Sequence, residues 1–119
     1  MPHILSVSYD VMLLNTRQLM LEACGHTVTS AEGFVEAMRL CTEGDYDMLI
    51  IGHSIPHTDK KALSEAAISH CRATVLALLR QGEPELGGAT KSVDAANPQL
   101  LITAVAELLN QSQSQRNPT

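Results

Sequence analysis
Asp45-Tyr46-Asp47-Met48-Leu49-Ile50-Ile51-Gly52-His53-Ser54-Ile55-Pro56 is the stretch that decides the fold. Asp47 precedes an apolar run over 48–51, which reads as a buried strand. The strand runs out into a loop through Gly52, His53 and Ser54 that Pro56 closes. Working outward, 3–7 is a second short apolar run and reads as the first strand. Leu13, Leu14, Arg17, Leu19, Met20, Leu21 and Ala23 suggest an amphipathic helix that Gly25 closes as C-cap. The β-branched stretch 27–30 is a short strand. Phe34, Val35, Ala37, Met38 and Cys41 fall at helical spacing over 31–41, with Ser30 as N-cap and Gly44 after the end.

Beyond the deciding stretch, 60–70 reads as a helix capped by Thr58 or Asp59, with Ala62, Leu63, Ala66 and Ala67 on one face. A strand over 74–79 follows. Residues 80–88 break the rhythm, because Gly82, Pro84, Gly87 and Gly88 resist helix formation. A weak strand is expected over 90–93. Pro98 then opens a last helix, in which Leu100, Leu101, Ala104, Val105, Leu108 and Leu109 pack inward. The chain divides into a domain over 1–109 and a disordered polar tail over 110–119.

Strands alternating with helices imply βαβ units and a parallel sheet covered on both faces. Five such units fit a flavodoxin-like, three-layer αβα sandwich with strand order 2-1-3-4-5. The functional crevice of that arrangement lies where the order reverses, outside the carboxyl ends of strands one and three. Two loops meet there, Ser8-Tyr9-Asp10 and Gly52-His53-Ser54.

Composition narrows the function. The chain has 119 residues, 45% hydrophobic and 18% charged, enough for one domain with a real core. It has no Trp, one Phe and two Tyr, so aliphatic residues must build that core. A net charge of −5 argues against nucleic-acid binding, which needs a basic face. No apolar run approaches the roughly 20 residues of a membrane span. No basic region precedes the run at Ile4, so a signal peptide is not expected. Three widely spaced cysteines, Cys24, Cys41 and Cys71, read as reduced and cytosolic.

The order and spacing of several short motifs resemble the response-regulator receiver (CheY-like) family over about 3–109. They are Ile4-Leu5-Ser6-Val7, Glu22 through Val28, Ala31 with Gly33, Glu36 and Ala37, Asp47 through Pro56, Gly88-Ala89, and Asn97-Pro98-Gln99-Leu100-Leu101. The resemblance implies a stand-alone module of two-component (phosphorelay) signal transduction, bacterial and cytoplasmic. It also marks what is missing. The phosphoacceptor position is Gly52. The two magnesium-binding acidic positions are Ser8 and Tyr9, with Asp10 the next residue. The switch hydroxyl position falls on Leu78 or Leu79. The family's lysine has no counterpart: Asp94 is nearest, and Lys91 comes three residues too early. The fourth helix is expected to be shortened or missing. The resemblance therefore implies a pseudo-receiver that is no enzyme, holds no cofactor or metal, and acts through protein–protein contact. Self-association through the last helix is one form of such contact. Gln81, Gly82, Glu83 and Leu86, in a segment expected to be the most mobile internal part, are the candidate partner-binding residues.

Local constellations carry other chemistries less well. His53, His57, Asp59 and Asp10 include metal-ligand types, but their spacing fits no standard site. His53 beside Ser54 lacks a nucleophile elbow. His53 as a phosphoryl acceptor would lack a neutralising metal. Gly82, Gly87 and Gly88 make no phosphate-cradling motif. Tyr9 is expected to fill the emptied acidic pocket with its ring, its hydroxyl meeting Asp10 or water. The alternative function is a small α/β ligand-binding protein or enzyme that uses the crevice near Asp10 and His53.

Overall fold
Successive side chains on a strand point to opposite faces, so a sheet covered on both sides must split its apolar residues between two cores. The computed structural model shows this split. It describes residues 3–80, 82–84, 87 and 89–116. The elements are β1 (His3–Ser8), α1 (Val11–Ala23), β2 (Thr27–Glu32), α2 (Gly33–Glu43), β3 (Met48–Ile51), α3 (His57–Cys71), β4 (Thr74–Leu79), β5 (Lys91–Asp94) and α4 (Pro98–Arg116). The five strands form one sheet of order β2-β1-β3-β4-β5, with every pairing parallel. Leu5, Val7, Leu49, Ile51, Val75 and Ala77 face α2 and α3, where they meet Ala37, Cys41, Leu63 and Ala67. Ile4, Met48, Ile50, Leu76 and Leu78 face α1 and α4, where they meet Leu21, Leu101, Val105 and Leu108. Burying each large aliphatic side chain contributes roughly 1.5–3 kcal/mol. The three-layer αβα sandwich expected from the sequence is therefore the fold observed.

Several boundaries differ from the sequence reading, each for a local reason. β2 runs on through Ala31 to Glu32, because its ladder with β1 continues through the pairs Val7–Ala31 and Ser8–Glu32. Ser30 is thus a strand residue and not a helix cap; its hydroxyl donates to Gln18 Oε1 at 2.8 Å. Gly33 turns the chain into α2 at a φ of 88°, a conformation side chains rarely adopt. α3 begins at His57 and not at Lys60. Pro56 takes the cap position, and its carbonyl accepts the Lys60 N–H at 2.9 Å. α1 ends with Cys24 as C-cap and Gly25 one residue beyond. Gly25 N–H bonds Glu22 O at 3.0 Å and His26 N–H bonds Leu21 O at 3.1 Å, the paired bonds of a Schellman motif.

Two further expectations concern the carboxyl-terminal third. Among the described residues between β4 and β5 there is no helix, as the Gly- and Pro-rich composition of 80–88 implies. α4 continues to Arg116, past the boundary expected for a tail at 110. No Gly or Pro interrupts 110–116, and Gln and Arg are good helix formers, so nothing in that stretch stops the helix. Cys24 and Cys41 are free thiols. No helix among the described residues is long and apolar enough to cross a membrane.

Candidate functional site
The strand order reverses between β1 and β3, so the loops leaving their carboxyl ends meet. A serine clasp joins them. Ser8 is fully buried at the end of β1, and its hydroxyl shares a 2.9 Å hydrogen bond with the Ser54 hydroxyl. Ser54 Oγ also accepts the Tyr9 N–H at 2.9 Å, and Ser8 Oγ accepts the Asp10 N–H at 3.0 Å. The Asp10 carboxylate is turned away to cap α1, accepting the Leu13 N–H at 3.2 Å. Tyr9 does not fill the pocket. Its ring is 50% exposed and lies over Gly33, where a Cβ would strike it, and its hydroxyl accepts the Phe34 N–H at 3.3 Å. An unsatisfied N–H at the start of α2 and the open face of Gly33 draw the phenol outward.

Gly52 ends β3 in tight quarters. Its N–H bonds Val7 O at 2.7 Å. A Cβ built on it would lie 2.7 Å from Val7 O, 3.0 Å from Arg17 Nη1 and 3.1 Å from Ser8 Cβ. The space an acceptor side chain would enter is thus bounded by backbone and by a guanidinium. Arg17 is only 4% exposed. It falls on the inward stripe of α1 with Leu14 and Leu21. Its Nη2 stands 3.5 Å from His53 Nδ1, a long and weak contact, and its Nη1 has no hydrogen-bond partner. Burial lowers the Arg17 pKa, and the attraction of Asp10 opposes that shift. Desolvation also pushes the His53 pKa below its ordinary value, reinforced by the charges of Arg17, Arg80 and Lys60 and opposed by Asp10. His53 is therefore held as the neutral imidazole near pH 7.

The loop after β4 is tied down by a second buried cation. Lys60 is fully buried and lies on the inward stripe of α3 with Leu63, Ser64 and Ala67. Its Nζ donates to Leu78 O at 3.0 Å and to Glu83 Oε2 at 2.6 Å. Glu83 Oε1 accepts the Arg80 N–H at 3.0 Å, and His57 Nδ1 lies 3.4 Å from Oε2. Desolvation pushes the Glu83 carboxyl upward, but the hydrogen bonds from Lys60, Arg80 and His57 outweigh it and hold its pKa below the ordinary value. Gly82 supplies the turn at a φ of 83°. Glu83, expected from sequence to face a partner, is turned inward to Lys60. Gln81 and Leu86, like Gly88, lie outside the described residues.

The remaining expected positions are spread along the same edge. Leu78 is buried against α1 and α4, and Leu79 is partly buried on the opposite face. Asp94 ends β5 opposite Leu79, and its carboxylate accepts the Ala96 N–H at 2.9 Å. Among the described residues no three His, Cys, Asp or Glu side chains come together as a metal site requires, so His53, His57, Asp59 and Asp10 do not converge. Magnesium needs hard oxygens in near-octahedral array. The serine clasp, the outward phenol, the capping carboxylate and Gly52 do not fit it. The sequence reading placed Arg17 on the first helix, Lys60 at the start of the third and Arg80 after the fourth strand, but gave none of them a role at the site. The signal was a basic residue on the inward stripe of α1 and another on that of α3.

No family model matches the chain, and no curated protein matches it. Solved structures do. A CheY-like response regulator receiver domain protein from Methanospirillum hungatei superposes with a TM-score of 0.84 at 19% identity, covering 97% of this chain and 98% of that one. The signal receiver domain of an HD domain-containing protein from Pseudomonas fluorescens gives 0.79 at 21% identity, covering 95% and 98%. The fold is the CheY-like receiver fold. The response regulator TrrA of Thermotoga maritima, solved in complex with Mg2+ and BeF, gives 0.78 at 21% identity, covering 91% and 99%.

Proposed function
We propose that this chain is a receiver-like module of two-component signal transduction that works in the cytoplasm through protein–protein contact, without phosphorylation at the usual site. The observation that carries this reading is Gly52. The end of β3 offers no side-chain oxygen, and the space beside it is bounded by Val7 O and the Arg17 guanidinium. The first loop supports it too. Ser8 is consumed by the clasp to Ser54, and Asp10 by its helix cap. With the reactive groups gone, the fold retains what a signalling module needs for recognition, a rigid sandwich with loops at one edge.

Treatment with acetyl phosphate and magnesium, followed by intact-mass analysis, tests the reading. The expected result is an unmodified chain. A phosphoryl adduct mapped to Asp10, His53 or Ser54 would overturn it.

A further inference from the structure
The two helical layers of the sandwich differ in what they show to solvent. On the layer of α2 and α3, Glu36, Arg39, Glu43, Lys61 and Glu65 are exposed. On the other layer α1 exposes one charge, Glu22, and α4 over residues 98–110 exposes one, Glu107. Each is already engaged: Glu22 Oε2 accepts from Gln18 Nε2 at 3.3 Å, and Glu107 pairs with Lys91 at 3.2 Å. A surface helix ordinarily turns its charged residues outward. α1 instead buries its other charge, Arg17, and turns Met12, Asn15, Thr16 and Leu19 outward. Met12 is 79% exposed and Leu19 70%. Val35 on α2 is as exposed, but it stands beside Glu36.

The outward stripe complements itself. Positions 12, 15, 16 and 19 share one side of a helix with about 3.6 residues per turn, and 12 and 19 stand equally far from the midpoint of 15 and 16. A two-fold axis through that midpoint lays α1 antiparallel on α1 of a second copy. Met12 of each copy then meets Leu19 of the other, and Asn15 meets Thr16, an uncharged pair that both donates and accepts. The two Glu22 carboxylates fall at opposite ends of the pair, about 20 Å apart, beyond the screening length at physiological salt. Charge singles out the same face. The chain carries a net −5, so two copies repel one another where carboxylates are exposed and least where they are absent. Beside the stripe, a groove of about 90 Å³ between α1 and α4 is walled by Leu13, Met20, Pro98 and Leu101, and the exposed Leu100 follows it on α4.

We propose that the outer face of α1 is a self-association surface, on which two copies of this chain pair antiparallel about a two-fold axis at Asn15 and Thr16. This pairing rests on the reading of the chain as a module that works through protein–protein contact, and it supplies the partner. Depletion of charge marks the centre of such surfaces. The 13 residues of α1 span about 20 Å, and the stripe alone falls short of the roughly 800 Å² per partner that a stable complex buries. The groove and Leu100 extend it, so the expected dimer is weak and concentration-dependent, with a Kd of about 100 μM or tighter.

The test is sedimentation equilibrium of the full chain from about 10 μM to about 1 mM, with circular dichroism to show that each variant is folded. The wild type is expected to pass reversibly from monomer to dimer. Leu19→Glu sets a carboxylate against Met12 of the second copy and should weaken association about tenfold or more, and Met12→Lys should do the same from the other side. The two substitutions combined in one chain should associate more tightly than either alone, because each new ammonium then faces a new carboxylate across the axis. Val35→Glu makes the same change of charge on α2 and should associate as the wild type does. A chain that stays monomeric at about 1 mM would overturn the proposal and leave the face to a partner of other sequence. Equal weakening by Val35→Glu and Leu19→Glu, or a double variant no tighter than the single ones, would overturn it too. Acetyl phosphate labelling decides the preceding reading separately, so the failure of one is not mistaken for the failure of the other.

Discussion
Among the described residues two cations are buried at the same edge of this sheet, and Lys60 has an ion-pair partner where Arg17 has none. Lys60 reaches inward from α3 to Leu78 O and the Glu83 carboxylate. Arg17 reaches inward from α1 beside Gly52 with Nη1 unbonded. The Lys60 pair holds down the segment that connects β4 to β5 without a helix among the described residues. Arg17 makes no ion pair among the described residues, and the attraction of Asp10 opposes the desolvation of its guanidinium.

The largest effect should come from breaking the paired cation. Glu83→Ala leaves Lys60 buried without a carboxylate, and urea unfolding should show a loss of about 3–5 kcal/mol. The next should come from crowding the space beside Arg17. Gly52→Ala sets a Cβ 2.7 Å from Val7 O, which backbone movement must relieve. A loss of about 1–3 kcal/mol is expected, with no gain of phosphorylation when the substitution is Gly52→Asp. Arg17→Met removes the orphan charge and keeps most of the packing volume. Its stability should match or exceed the wild type by up to about 1–4 kcal/mol, where a loss as large as that of Glu83→Ala would erase the contrast between the two cations.

The smallest effect is in pH. The native His53 pKa lies below the ordinary 6.5. As pH falls through that value, the unfolded chain takes up a proton that the native chain refuses, so this contribution to stability is present above pH 6.5 and lost below it. Glu83 has the same sign at lower pH: its depressed native pKa contributes stability above the ordinary 4.5 that disappears as the carboxylate protonates. Denaturant midpoints measured from pH 8 down to well below pH 4.5 should therefore fall in two steps, and His53→Gln should remove the first.

Much of the fold was legible because periodicity and punctuation agreed. The apolar runs at 48–51 and 74–79 gave strands with the observed bounds, and Pro98 opened the last helix where it does in the structure. Boundaries failed where long-range pairing outweighed a local signal. Ser30 has a capping side chain, but the ladder to β1 claimed its backbone. The site was half legible. The missing side chain at Gly52 can be read from the sequence. The cations cannot be placed there, because Arg17 and Lys60 come from helices distant in sequence, and their importance lies in which carboxylate each one finds. Tyr9 shows the same limit: its ring follows an open glycine and a free N–H at Gly33 and Phe34, which only the fold brings near.

The central proposal is that this edge, with Gly52 at the end of β3 and the Ser8–Ser54 clasp beside it, does not bind magnesium. Titration of the full chain with magnesium, read by calorimetry and by the amide signals of residues 8–10 and 52–54, tests it most directly. The account predicts no saturable binding in the millimolar range and no shift at either loop. Micromolar affinity with shifts at Ser8, Asp10 and Gly52 would contradict it.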